Sequence, residues 1–397
     1  MKLFQKLLLT PAVIGFLAPI TANASEASLM DVSNYSQVDV QVTQDTFKPL
    51  STKNPLLAGG EGLNQNISND FDEDSFSSTT SATFKSNFII GATDEATSPA
   101  TDKTNFVHDY EIELTSTTDG NDALTVVLES GDNAPSTSFD LAASQELKFS
   151  QLSYTRQLGD RLTMFVGQQG TPGSLLYTEA CAYGGQTEVL SDCGVRSTNL
   201  DEEFGASFGA SFDFGGGFTG AVGYEGTGGE TVNGLMTKEA TDAFGGQVAY
   251  TGDNYGVAVA FASIENHNAS NVLDADRGVT TSSALSAYFA PELENFPSIS
   301  VGFESSHDDS AAANADKKSN YFVGLQWDDF ANGSLGASFG SKAPELENGD
   351  TEKMYEVFYS YDYADGITIT PLMFVKENAA ANTNDETGIY LKTSFSF

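Results

Sequence analysis

From residue 80 onward the chain alternates apolar and polar side chains in stretches of about ten residues separated by turn-forming clusters. That period of two limits the fold more than any other feature. In one stretch Phe204, Ala206, Phe208, Ala210 and Phe212 stand against Gly205, Ser207, Gly209, Ser211 and Asp213. In another, Phe106, His108, Tyr110, Ile112 and Leu114 stand against Asp109, Glu111 and Glu113. The last stretch sets Ile389, Leu391, Phe395 and Phe397 against Tyr390, Lys392, Ser394 and Ser396. Each strand of this kind carries one greasy and one polar face. No run of 18 or more apolar residues follows the start of the chain, so no helix can cross a hydrocarbon core of roughly 30 Å. Any membrane span has to be a closed barrel.

The pattern predicts sixteen antiparallel strands, near 81–91, 105–115, 123–130, 146–157, 161–167, 203–214, 218–225 and 243–251, then 254–264, 278–290, 297–305, 319–328, 333–340, 353–363, 366–376 and 387–397. The links supply a second test. Those from an even strand to the next odd one are short and rich in turn residues: Asp119-Gly120, Gly159-Asp160, Gly215-Gly216-Gly217, Gly252-Asp253, Pro291 to Pro297, Asn332-Gly333 and Asp365-Gly366. Those from odd to even are mostly longer and more polar. A transmembrane β-barrel with short periplasmic turns and long outer loops keeps this parity, and a soluble sandwich has no reason to.

Composition agrees with this class. Asp and Glu number 55 against 18 Lys and Arg, a formal charge of -37, which excludes nucleic acid as a partner. Gly reaches 38 and Phe 28, while only 18% of residues are charged. Lys2 and Lys6, the apolar stretch Leu7 to Ile20 and the small residues Ala22, Asn23 and Ala24 predict a signal peptide over 1–24, cleaved after Ala24. Its loss would take the charge from -37 to -39. Residues 25–79 show no steady period and read as a largely extended periplasmic arm before a barrel domain at 80–397. Its acidic run Asp70, Asp72, Glu73 and Asp74 departs from the EF-hand spacing and reads as solvated charge. No metal or other cofactor is expected.

The longest link, from about Gln168 to Glu203, is the third outer loop and holds both cysteines, Cys181 and Cys193. In an exported chain that pair reads as a disulfide, with a metal pair as the alternative. A barrel of sixteen strands is wide enough for an aqueous channel, so size selection needs something to narrow it. An inward third loop is the candidate, with Glu188, Asp192, Arg196 and Asp201 at the constriction. An outward loop stiffened by the bridge is the other reading. Lumen-facing charges are expected at Lys85, Asp109, Glu111, Lys376 and Lys392, with Lys148 and Arg156 as further candidates and the fourth strand's register ambiguous at Leu152 and Tyr154. Lys85 and Lys392 would be neighbours where the barrel closes. They would face an acidic loop across the lumen and set a transverse field there, or Lys85 would simply pair with Asp109 or Glu111. The excess of carboxylates favours cations. Barrel enzymes need a histidine placed with Ser or Asp. Of His108, His267 and His307, the first reads as lipid-facing and the others as loop residues, so no enzymatic role is expected.

Several segments carry a family resemblance: Met1-Lys2-Leu3-Phe4-Gln5-Lys6-Leu7-Leu8, Phe76-Ser77-Ser78-Thr79-Thr80 leading into Phe84 to Gly91, Leu158-Gly159-Asp160-Arg161-Leu162, Cys193-Gly194-Val195-Arg196-Ser197, and terminal Phe397. In these the chain resembles the cyanobacterial outer-membrane porins related to the carbohydrate-selective and iron-uptake porins. It departs from many of them in that residues 25–79 hold neither an S-layer-homology domain nor a coiled coil. The resemblance implies an outer-membrane homotrimer through which sugars, ions or iron species diffuse, with the lipid bilayer and small hydrophilic solutes as partners. It also implies that Phe397 serves the barrel-insertion machinery. The function expected is thus passive, cation-preferring diffusion. The alternatives are a structural barrel or surface receptor with a plugged pore, and a soluble secreted β protein.

Overall fold

The computed structural model describes residues 79–94, 103–132, 145–187, 190, 193–195, 198, 200, 205–237, 240–265, 278–293, 295–309, 316–341, 345–346, 352–378 and 385–397. The chain divides into two units, Met1–Asp70 and Phe71–Phe397, and every described residue belongs to the second. The expected signal peptide and arm therefore lie outside the described residues.

The strands are β1 (Thr80–Asp94), β2 (Asn105–Ser116), β3 (Asp122–Gly131), β4 (Lys148–Leu158), β5 (Leu162–Gln168), β6 (Ala206–Gly215), β7 (Phe218–Gly226), β8 (Asp242–Thr251) and β9 (Tyr255–Glu265). They continue with β10 (Val279–Phe289), β11 (Ser298–Asp308), β12 (Lys317–Trp327), β13 (Gly333–Ser341), β14 (Glu345–Leu346), β15 (Lys353–Ala364), β16 (Ile367–Lys376) and β17 (Glu386–Ser396). The two residues of β14 pair with β12 beyond the end of β13, so they extend that strand and the wall has sixteen staves. Each stave pairs antiparallel with its neighbours in sequence, and β17 pairs with β1 from Thr387↔Asp94 to Ser396↔Lys85. Phe84 and Phe397 exchange both backbone hydrogen bonds at 2.9 Å. Closure leaves the sheet without an open edge.

The alternation explains why the sheet can sit in lipid. One face exposes a belt of large apolar side chains, with Val222 and Phe261 each 61% exposed and Phe88, Phe208, Phe244, Val259, Val301 and Phe303 in the same ring. Aromatic residues gather at the short-turn end: Phe214, Phe218, Tyr255, Phe289, Phe330, Tyr363 and Phe397 are all exposed there. Such a girdle marks a membrane–water boundary. The turns are tight because of their residues. Gly215, Gly216 and Gly217 all have positive φ, at 83°, 65° and 87°, a run that L side chains adopt only under strain.

The ambiguity in the fourth strand is a β-bulge. Val127 pairs with Gln151 and Leu128 with Phe149, which leaves Ser150 extra and shifts the alternation by one residue. Leu152, Tyr154 and Arg156 then share the outward face with Phe149. Arg156 is consequently not a lumen residue. Its guanidinium donates to both oxygens of Asp119 at 3.1 and 2.8 Å, fastening the turn between β2 and β3.

Candidate functional site

The described residues between 169 and 205 lie against the inner face of the barrel, opposite the lipid belt. Their polar groups bond to side chains that point inward from the wall. At the root of the loop, Gly173 N donates to Glu225 on β7 at 3.2 Å. Thr178 N donates to Gln247 on β8 at 2.7 Å. Farther round, Ala182 N reaches Ser300 on β11 at 2.8 Å and Gly184 N reaches Gln326 on β12 at 2.7 Å. The tip is held by Glu356 on β15, which accepts from Tyr183 OH at 2.8 Å and Gln186 N at 3.1 Å. On the return, Thr198 donates to Glu304 on β11 through both its backbone N–H, at 2.9 Å, and its hydroxyl, at 3.0 Å. Cys181 and Cys193 form a disulfide that ties the outgoing arm to the returning one.

The wall under the loop is shaped to admit it. Ala258, Ala260, Ala262 and Ala284 face inward from β9 and β10 and are nearly fully buried. A Cβ at Gly302 would come within 1.6 Å of the Cys193 carbonyl oxygen, and one at Gly223 within 1.8 Å of that of Gly173. A cavity of about 220 Å³ remains between loop and wall, bordered by Thr178, Glu179, Gln247, Ala258 and Ser286, and is polar enough to hold water.

The tip seat is apolar, which the expectation of a polar lumen missed. Tyr183, Leu190 and Cys193 pack with Ile89, Phe322, Met354, Phe358, Leu372, Phe374 and Tyr390 in one buried cluster. The Tyr183 ring lies 5.4 Å from Phe322 and 5.8 Å from Phe358. Burial and the nearby carboxylates of Glu225 and Glu356 push the phenols of Tyr177 and Tyr183 above their ordinary range. The sequence did hold a signal for this seat. Met354 to Tyr359, apart from Glu356, and Leu372 to Val375 are apolar on both faces, as strands covered on both sides must be.

The expected site residues fall into three groups. Glu188, Asp192, Arg196 and Asp201 lie outside the described residues. Lys85, Asp109, Glu111, Lys148, Lys376 and Lys392 face inward, but the lysines do not gather. Lys392 pairs with Ile89 and Lys85 with Ser396, so the two are four positions out of step, roughly 13 Å along the strands. Lys85 instead binds Glu111 at 2.9 Å. Lys376 is 4% exposed, with its ammonium 3.9 Å from Glu386. Lys392 reaches Gln186 of the loop at 3.5 Å, with Asp109 and Glu356 as its nearest acidic neighbours. The third group joins three of these residues to one that the sequence did not single out, Glu129. Register makes Lys85, Glu111, Glu129 and Lys148 direct cross-strand neighbours, a charged row across β1 to β4. Glu129 entered it only once pairing was known.

Among the described residues, His108 and His307 make separate contacts. His108 lies outward, stacked on Phe88, with Nδ1 2.8 Å from Asp132. Gln145 and His108 hold that aspartate's carboxyl below its usual range. His307 ends β11 rather than sitting in a loop, 3.6 Å from Asp316. His267 is outside the described residues.

The chain matches no protein-family model and no curated protein. Solved structures do resemble it. The anion-selective porin from Comamonas acidovorans aligns with a TM-score of 0.57 at 13% identity, covering 80% of this chain and 100% of that one. OmpT lacking its loop L8, an outer membrane protein of Vibrio cholerae, gives 0.54 at 11% with the same coverage, and a variant of the Rh. blastica porin gives 0.52 at 13%, again with the same coverage. At these identities the likeness is one of fold. A closed sixteen-stave barrel with an apolar outer belt and a loop-lined interior thus has the fold of the bacterial outer-membrane porins.

Proposed function

We propose that the chain is a diffusion porin, passing small hydrophilic solutes and ions without covalent chemistry and favouring cations. One observation carries this reading. The third loop is fastened along the wall from β7 to β15, so it narrows the lumen from one side and leaves the charged faces of β1 to β4 to line the passage. On those strands Asp109, Glu111, Glu113 and Glu129 outnumber Lys85 and Lys148, which biases the path toward cations. The expected constriction charges on the loop, Glu188, Asp192, Arg196 and Asp201, would face this wall across the lumen. Removal of 1–24, a periplasmic arm at 25–79 and assembly as a homotrimer belong to the same reading.

Liposome swelling tests it. Vesicles carrying the folded mature barrel should swell in iso-osmotic arabinose or glucose and progressively less in larger sugars. Vesicles that stay unswollen in every sugar, although the barrel is folded and inserted, would favour the plugged receptor.

A further inference from the structure

Three buried wall carboxylates accept hydrogen bonds from the loop. Glu225, Glu304 and Glu356 are 0%, 1% and 1% exposed and project inward from β7, β11 and β15. Each accepts from a different station of 169–205: root, return and tip. The loop's chain is irregular there, so its backbone N–H groups need outside acceptors once water is excluded. The strands' own carbonyls are engaged in the ladder, which leaves wall side chains. A carboxylate suits the role because it accepts without donating and makes shorter, stronger bonds than a neutral acceptor.

We propose that these three glutamates are positioning residues that fix how far the loop projects into the lumen, with Glu356 setting the tip and therefore the size limit of the pore. This rests on the diffusion reading and adds what controls it. Burying a carboxylate costs hydration, and the undocked state would recover that hydration, so the latch specifies where the loop sits more than it stabilises the barrel. Glu356 has the largest leverage. It accepts two bonds from the segment farthest from both loop ends, through Tyr183 and Gln186, where Gln326 and Lys392 each make one.

The test compares Glu356→Ala and Glu356→Gln in the full chain. It reads protease cleavage within 169–205 of the folded, SDS-resistant barrel, together with unit conductance and the exclusion size of neutral polyethylene glycols. Glu356→Ala should speed cleavage, raise conductance and admit larger polymers. Glu356→Gln should stay near wild type, because its amide oxygen accepts the same two bonds. If the alanine variant does not fold, Tyr183→Phe removes one bond from the loop side and should show the same changes in smaller measure. Unchanged cleavage and exclusion size in the folded variants, or a glutamine variant as disturbed as alanine, would overturn the proposal. A silent wild-type bilayer would refute the diffusion reading alone, and the cleavage comparison would still decide the latch.

Discussion

The two sides of the lumen are built from opposite materials. From β1 to β4 the inner face carries Lys85, Glu111, Glu129 and Lys148 in register, with Asp109 and Glu113 on the flanking rows. From β7 to β15 the inner face is largely Ala, Gly and Ser around isolated Glu, Gln and Asn side chains, and at the tip seat it is apolar. In a ring of sixteen staves β3 and β11 stand opposite one another. The difference follows from what each side meets. A surface in water needs charge and tolerates long side chains. A surface covered by a loop needs room for the backbone, acceptors for its N–H groups and apolar contacts where water is excluded. An inner face of small residues therefore marks a docking surface rather than a smooth channel.

That contrast can be broken from either side. The largest effect is expected from Cys181→Ser with Cys193→Ser. The bridge spans a sequence separation of 12, and closing a loop of that size restricts the undocked state by about 3 kcal/mol. Its loss should raise protease sensitivity of 169–205 while the heat-modifiable barrel persists. Gly302→Val comes next. Its added carbons would occupy the site of the Cys193 carbonyl, and the resulting overpacking, about 1–3 kcal/mol, should displace the loop and increase unit conductance with a smaller change in ion selectivity. Alkaline pH should act more gently. Burial holds the Tyr183 phenol above its ordinary value of 10.0, so an undocked tyrosine ionises first. Docking is at full strength below that value and is lost as pH rises past it, readable as increasing conductance noise that Tyr183→Phe abolishes. Smallest in stability is Glu111→Gln, since its ion pair with the half-exposed Lys85 contributes about 0–1 kcal/mol. It should move the reversal potential toward zero and leave cleavage of the loop unchanged, which separates the charged wall from the seat.

The wall was largely legible because its rule is local. Alternation at residues 204–213 and 389–397, and the parity of short and long links, follow from each strand having lipid on one face. What the sequence hid depends on partners. Ser150 looks like any strand residue, and only pairing shows that it bulges and turns Arg156 outward to Asp119. The sequence put Lys85 and Lys392 side by side where the barrel closes, yet their separation depends on the stagger between β1 and β17, which no local pattern encodes. Glu356 was the most recoverable omission. A lone acid between Met354 and Phe358 on a face meant to be polar marks a carboxylate meeting something other than water.

The most direct test of the account is the reversal potential of the folded mature chain in a planar bilayer under a salt gradient, with Lys85→Glu for comparison. The account predicts steady unit conductance, a reversal potential of the sign given by cation preference, and a larger value in the variant. A silent bilayer from demonstrably folded barrel, or a reversal potential of anion sign, would contradict it.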